Sequence, residues 1–282
     1  MKRQPESIHT FMQGMHGRPI GIDVQYLNDG RAKPVVIFSH GFKGFKDWGH
    51  FNWMSALFAN KGIVFVKFNF SHNGTTPENP LEFSDLEAFG NNNYMIELDD
   101  LRCVIDWLVD EQSLKQDTDP ANITLLGHSR GGGISILKAA GDKRIAKLVT
   151  WASVSSFTGR NRKETIQLWE RDGVVYTENR RTRQRMPLYR QFYDSLLENK
   201  ERLNVIKAAK SLSIPFLIVH GTADEAVSIG DARQLHNACR HSELLVIEGA
   251  GHTFGVSHPF TGDLPEHAAM VIERTIHFIK NQ

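Results

Sequence analysis

Short apolar runs alternate with longer segments of helical spacing along most of this chain. The runs are rich in β-branched and aromatic residues and predict strands at PVVIFSHG, IVFVKFNFS, NITLLGHS, IAKLVTWASV, IPFLIVHGTAD and ELLVIEGAGH. Apolar residues recur with the helical period in FNWMSALFANKG, NNNYMIELDDLRCVIDWLVDEQ and LPEHAAMVIERTIHFIKNQ, which predicts helices. The alternation predicts an α/β fold with a mostly parallel central sheet and helices on both faces.

Chemically distinctive residues follow several of the predicted strands. Nearly continuous apolar strands are buried on both faces, and such sheets bind ligands beyond the carboxyl ends of their strands. The residues at these strand ends are His40-Gly41, Gly127-His128-Ser129, His220-Gly221-Thr222-Ala223-Asp224 and Gly249-Ala250-Gly251-His252. We therefore expect a ligand site where these ends converge on one edge of the sheet.

One segment interrupts the alternation. Residues 157–202 contain 11 Lys and Arg against 7 Asp and Glu, and they predict two or three short helices with a hairpin around Val174 to Met186. Because a loop of this length is rarely structureless in a compact domain, we expect a single α/β domain over residues 1–282 with a cap inserted at approximately 155–205. The alternative is a solvated basic face that does not contact the substrate.

The overall composition narrows the possible partners. Thirty-three Lys and Arg against 32 Asp and Glu leave a formal charge of +1, so we expect neither nucleic acid nor a membrane as a partner. The two cysteines, Cys103 and Cys239, are widely spaced, which argues against a disulfide framework or a zinc site, and we predict no metal and no cofactor. The location is predicted from the absence of targeting signals. The sequence contains no recognisable signal peptide and no apolar run long enough to span a bilayer, so we expect a cytoplasmic location. Whether the protein forms a homodimer is left open by the sequence.

A glycine-rich pattern marks the candidate nucleophile. Gly127-His128-Ser129-Arg130-Gly131 matches G-x-S-x-G, in which a serine occupies a strained turn between a strand and a helix. ITLL before the pattern predicts the strand, and ISILKAAGDK after it predicts the helix. Bulky side chains two positions before or after the serine would collide with the turn, which explains the two glycines.

Ser129 also needs a base and an orienting carboxylate, because a serine hydroxyl is a weak nucleophile at neutral pH. Asp224 and His252 each follow a later predicted strand, so we predict the triad Ser129, Asp224 and His252. The rival acids are Glu225, Asp231 and Glu248, and the rival base is His258. Asp231 fits a helix start better, and His258 fits a surface loop better.

Two backbone groups are candidates for an oxyanion hole. The N–H of Arg130 lies at the predicted helix start, where the helix dipole favours negative charge. The second donor should come from the loop after an early strand, and in His40-Gly41-Phe42-Lys43-Gly44 we predict the N–H of Phe42.

These motifs together resemble the α/β-hydrolase superfamily. PVVIFSHGFKGFKDWG, ITLLGHSRGGG, IPFLIVHGTADEAV and IEGAGHTF are similar to its oxyanion loop, nucleophile elbow, acid turn and histidine loop, in that order. FNFSHNG and the inserted segment resemble serine esterases of the dienelactone-hydrolase-like and cinnamoyl/feruloyl-esterase-like groups. True dienelactone hydrolases use a cysteine nucleophile, whereas this elbow carries Ser129. The resemblance implies an α/β-hydrolase fold with an inserted cap, and the cap leaves the substrate undefined.

Three functions compete. The first is a serine carboxylic-ester hydrolase that acts through an acyl-enzyme on a small or medium ester. The second is a serine peptidase or an acyltransferase with the same triad. The third is a non-catalytic binding protein on the hydrolase scaffold, which usually lacks a triad member.

Basic residues of the inserted segment and the oxyanion loop suggest a substrate with a carboxylate as a further hypothesis. They are Lys43, Lys46, Arg160, Arg162, Arg180, Arg181, Arg183, Arg185 and Arg190.

Overall fold

The computed structural model describes residues 4–179 and 181–281. In this part of the chain the strands are β1 (Glu6–Gln13), β2 (Pro19–Tyr26), β3 (Lys33–Ser39), β4 (Val64–Phe68), β5 (Thr118–His128), β6 (Ile145–Trp151), β7 (Val174–Asn179), β8 (Gln184–Tyr189), β9 (Phe216–Gly221) and β10 (Ser242–Ile247). The helices are α1 (Phe51–Asn60), α2 (Leu86–Gly90), α3 (Tyr94–Asp110), α4 (Arg130–Gly141), α5 (Lys163–Asp172), α6 (Gln191–Glu198), α7 (Val205–Ser211), α8 (Ile229–Ala238) and α9 (Glu266–Lys280), with a 3-10 turn at Gln112–Leu114. None of the described helices is both long and apolar enough to cross a membrane.

The main sheet of the described residues has eight strands in the order β1-β2-β4-β3-β5-β6-β9-β10. In this sheet order, each pair of neighbouring strands from β4 to β10 is parallel, whereas the pairs β1–β2 and β2–β4 are antiparallel. The six strands predicted from apolar runs are present and form the parallel part. Their order places the carboxyl ends of β3, β5 and β9 on one edge, as expected for an α/β fold.

Side chains on the parallel strands alternate between two apolar layers, one on each face of the sheet. In β3, Val35 and Ile37 pack with α3 and α4, whereas Val36 and Phe38 pack with α1 and α9. Each of these residues is fully buried. The helices therefore cover both faces, and the predicted α/β class is confirmed.

The antiparallel β1–β2 hairpin was not predicted from the sequence. Every second residue of β1 is exposed, because this strand lies at the edge of the sheet. Its sequence ESIHTFMQ therefore lacks the continuous apolar run that marks the central strands.

The inserted segment contains α5, a separate β7–β8 hairpin and α6, and the hairpin lies where the sequence predicted one. Through Met186 it joins a small hydrophobic cluster with Phe45, Phe83 and Phe89. The Trp169 indole N–H of α5 donates to the Leu188 carbonyl at 2.7 Å, which ties the helix to the hairpin. The segment is a folded unit beside the edge at which the strands end.

Candidate active site

Ser129 lies between β5 and α4 in a backbone conformation that non-glycine residues rarely adopt. Its φ is 57° and its ψ is −120°. The Ser129 N–H donates to the Trp151 carbonyl of β6 at 2.9 Å, and the Ser129 carbonyl accepts from the Gly132 N–H at 3.0 Å. These bonds hold the strained turn, so that the side chain projects beyond the strand end.

Asp224 and His252 form a direct contact. His252 Nδ1 lies 2.8 Å from Asp224 Oδ2, and because a carboxylate only accepts, Nδ1 carries the proton. The Asp224 side chain is fully buried, whereas that of His252 is 24% exposed. The Nε2 atom of His252 is therefore left as the acceptor for a proton.

The Asp224 carboxylate is fixed by further donors. The backbone N–H groups of Ala226 and Val227 donate to Oδ1 at 2.8 and 2.9 Å. His220 Nε2 lies 3.3 Å from Oδ2 and donates to the Val227 carbonyl at 2.9 Å. Burial opposes ionisation of Asp224, but the hydrogen bonds from His220, His252 and Val227 outweigh it and hold the pKa of Asp224 below its usual value. The contact between His220 and Asp224 was not predicted.

Ser129 and His252 line the same cavity. Within the described residues the Ser129 hydroxyl makes no hydrogen bond, whereas the His252 ring bonds to Asp224. Contacts between a catalytic residue and its base are often long until a substrate binds. His128 supports the His252 ring at a centroid distance of 4.8 Å, and its Nε2–H donates to the His252 carbonyl at 3.0 Å. Burial lowers the pKa of His128 to about 3, so this supporting ring is neutral.

The two predicted oxyanion donors flank Ser129. Neither the Phe42 N–H nor the Arg130 N–H donates to a protein acceptor in the described part of the chain. A Cβ atom on Gly41 would lie 3.0 Å from the Ser129 Cβ, which shows how closely the loop after β3 approaches the elbow. Both amides therefore remain available beside the serine.

His40 shapes the same loop. Its Nδ1–H donates to the Gly41 carbonyl at 2.9 Å, and its Nε2 accepts from the Phe70 N–H at 3.3 Å. Burial lowers the pKa of His40 to about 4, so this ring stays neutral and acts as a support.

The cavity beside Ser129 has a volume of about 410 Å³, which suits a small ligand. Its described lining is mainly aromatic side chains, histidines and glycines, with two cations and no carboxylate: His40, Gly41, Phe42, Lys43, Gly44, Trp48, Phe51, His128, Ser129, Asn179, Arg181, His252 and Thr253. Asn179 and Arg181 come from the β7–β8 hairpin, so the inserted segment contributes to the cavity wall. Asn179 was not predicted, since no local sequence pattern marks it.

Most of the basic residues considered from the sequence lie elsewhere. Lys43 and Arg181 are the exceptions, since both line the cavity. Lys46 is buried in an ion-pair network with Asp23 and Asp47, at 2.6 Å from each. Arg180 lies outside the described residues, and the others face solvent or pair with neighbouring acids.

The rival residues have other contacts. Asp231 Oδ1 accepts from the Ser155 N–H at 2.8 Å and also pairs with Arg160. His258 Nδ1 accepts from the Gly49 N–H at 2.9 Å. Within the described residues no group of three or more His, Cys, Asp or Glu side chains is arranged to hold a metal ion.

Comparisons with known proteins support the same fold. Est1E from Butyrivibrio proteoclasticus, in a structure with bound ferulic acid, is 17% identical over 96% of this chain and 97% of its own, with a TM-score of 0.73. A putative dienelactone hydrolase from Klebsiella pneumoniae is 15% identical over 99% of each chain, with a TM-score of 0.63. A puromycin-hydrolysing peptidase from Mycobacterium tuberculosis is 17% identical over 96% of this chain but 38% of its own, with a TM-score of 0.66. The comparison with curated proteins gives no match.

The resemblance to α/β-hydrolases is thus confirmed at the level of the fold. The sequence also matches the model of the prolyl oligopeptidase family over residues 49–281, which is most of the chain. The chain therefore belongs to the prolyl oligopeptidase family and is a serine hydrolase of the α/β-hydrolase type.

Proposed function

We propose that the protein is a carboxylic-ester hydrolase that acts on a small or medium ester through Ser129, His252 and Asp224. The observation that carries the proposal is that Ser129 and His252 line one cavity of about 410 Å³, with His252 bonded to the buried Asp224. Its volume admits a compact acyl group and a compact alcohol.

The geometry supports a two-step reaction. His252 Nε2 takes the proton of the Ser129 hydroxyl, whose oxygen attacks the acyl carbon of the ester. The negative charge that develops on the carbonyl oxygen is stabilised by the N–H groups of Phe42 and Arg130. The tetrahedral intermediate collapses, the protonated His252 gives its proton to the departing alcohol oxygen, and an acyl-enzyme forms. Water, deprotonated by His252, attacks the acyl carbon, and as the second tetrahedral intermediate collapses His252 returns the proton to the Ser129 oxygen, which frees the serine and releases the acid.

The charge of the cavity favours an ester over a substrate with a free amine. The described lining contains Lys43 and Arg181 but no carboxylate that could pair with an ammonium group. A neutral or anionic acyl group fits this lining better than the amino terminus of a peptide.

The second candidate is a peptidase with the same triad, and the family match favours it. An acyltransferase would share the acyl-enzyme and differ only in the acceptor that replaces water. The leaving group and the acceptor decide between these reactions, so substrate panels have to distinguish them.

The test is a panel of p-nitrophenyl esters from acetate to octanoate, esters of one acid with several alcohols, and aminoacyl-prolyl p-nitroanilides. We expect ester turnover to exceed amide turnover and Ser129→Ala to lose it by several orders of magnitude. Neutral and anionic acyl esters compared at low and high salt measure the contribution of Lys43 and Arg181. Amide cleavage faster than ester cleavage would establish a peptidase instead. Transfer of the acyl group to an added alcohol would establish an acyltransferase.

A further inference from the structure

The side chain of Arg130 is enclosed by three aromatic rings from three parts of the molecule. Its guanidinium carbon lies 4.1 Å from the ring centroid of Phe42, 5.1 Å from that of Tyr94 and 5.2 Å from that of Phe192. Phe42 belongs to the loop after β3, Tyr94 begins α3, and Phe192 is in α6 of the inserted segment. All three distances are within the range of a cation–π interaction.

A buried carboxylate holds the guanidinium in this enclosure. Arg130 Nη1 lies 3.2 Å from Glu97 Oε1, and the two side chains are 12% and 4% exposed. Glu97 Oε1 also accepts from Asn92 at 2.9 Å. Burial raises the pKa of Glu97, and the nearby Arg130 guanidinium and the hydrogen bond from Asn92 oppose this effect.

Arg130 and Phe42 are also the two residues whose backbone N–H groups flank Ser129. Arg130 has a backbone fixed by the start of α4, whereas Phe42 lies in a loop. The Gly41–Phe42 peptide that carries the Phe42 N–H is held at its Gly41 carbonyl, which accepts from the Gly44 N–H at 3.0 Å and from the His40 Nδ1–H at 2.9 Å. The Phe42 N–H itself has no protein acceptor among the described residues. The ring of Phe42 contacts Arg130 and Phe89, so it constrains the same residue from its side-chain end.

We propose that the Arg130 guanidinium, oriented by Glu97, is a positioning residue that fixes the Phe42 N–H relative to the Arg130 N–H, with Phe192 of α6 closing the enclosure. The inference rests on the proposed function, because it assumes that these two amides bind the oxyanion. A misplaced donor weakens binding of the transition state more than binding of the ester, so loss of the guanidinium lowers kcat and leaves KM nearly unchanged.

The test compares Arg130→Gln with Arg185→Gln, a control that removes a similar cation–π contact, 4.4 Å from Tyr176, on the hairpin. For p-nitrophenyl butyrate we expect Arg130→Gln to lower kcat by roughly 10- to 100-fold with KM changed by less than about twofold. A trifluoromethyl ketone with the same acyl group, which forms a tetrahedral adduct with serine, should lose affinity by the same factor as kcat/KM. Arg185→Gln should match the wild type, and Arg130→Lys should recover part of the loss.

Phe42→Leu is a second variant, since it keeps the backbone N–H but removes the ring, and it should reproduce the fall in kcat. A wild-type kcat in a folded Arg130→Gln, or in Phe42→Leu if Arg130→Gln fails to fold, would overturn the positioning role. A fall in kcat without loss of ketone affinity would overturn it as well. Turnover that survives in Ser129→Ala would instead show that the proposed function is wrong.

Discussion

At the scale of single residues, the elbow is governed by how closely two backbones approach. A Cβ atom on Gly131 would lie 2.3 Å from the Ser39 carbonyl oxygen and 2.5 Å from that of His40. These oxygens belong to the end of β3 and the residue after it, so they cannot rotate away as a side chain would. Glycine is therefore required at position 131 because no larger side chain fits there. The sequence pattern predicted this steric reason.

Gly131→Ala should destabilise the protein by roughly 1–3 kcal/mol and reduce activity, because α4 would be pushed away from the sheet. Gly141→Ala is the matched control in the same helix, since a Cβ atom there would meet nothing within 4 Å. The control should be neutral or more stable by up to about 1 kcal/mol. Urea denaturation of both variants measures the difference, and equal free energies of unfolding would contradict this account of the elbow.

The residues that carry the proposed chemistry were predictable from the sequence, whereas those that support them were not. Ser129, Asp224 and His252 each follow a strand and belong to motifs whose residue types the chemistry restricts. Glu97 and Phe192 contact Arg130 across long sequence separations, and no local pattern marks such contacts. Their roles depend on how α3 and α6 pack, which only the tertiary structure provides.

At the scale of elements, the β7–β8 hairpin is joined to the oxyanion loop by a lysine. Lys43 Nζ donates to the Glu178 carbonyl at 2.9 Å and to the Thr177 hydroxyl at 3.4 Å. Lys43 also lines the cavity, so the same residue links the hairpin to the site. The hairpin was predicted from the sequence, but this link was not, because the two segments are far apart along the chain.

Lys43→Met should increase opening of the hairpin about fivefold, since hydrogen bonds from a charged donor contribute about 1 kcal/mol or more. The increase should appear as faster tryptic cleavage after Arg181 and Arg183, measured by mass spectrometry at fixed temperature. Lys207→Met, which removes an exposed lysine on α7 with a 3.7 Å ion pair to Glu201, is the control. Identical cleavage rates in the two variants would show that Lys43 does not hold the hairpin.

At the scale of the whole molecule, several histidines are buried in their neutral form. Burial lowers the pKa of His40, His50 and His72 to about 4 and that of His128 to about 3. The unfolded chain binds protons at these rings near pH 6.5, whereas the folded protein does not. The stability that they contribute is present above pH 6.5 and is lost as the pH falls towards their folded pKa values.

The four histidines alone should lower the free energy of unfolding by roughly 5 kcal/mol between about pH 7 and pH 5.5, and the net fall with Asp100 included should be roughly 3 kcal/mol. Asp100 opposes this loss, because burial raises its pKa to about 7 and its contribution decreases as the pH rises. Asp100→Asn removes the carboxyl group whose protonation favours the folded protein, so the free energy of unfolding should fall more steeply on acidification. Urea denaturation at both pH values measures these slopes, and a wild-type stability that stays constant or rises on acidification would contradict the neutral burial of the histidines.

Covalent labelling identifies the nucleophile of a serine hydrolase, and for this protein we predict that it is Ser129. The protein is incubated with a fluorophosphonate, which phosphonylates activated serines, and the site of the adduct is mapped by peptide mass spectrometry. We predict one adduct on the peptide that contains Ser129, with no labelling of Ser129→Ala and slower labelling of His252→Ala. An unlabelled wild type, or an adduct that persists in Ser129→Ala, would contradict the account.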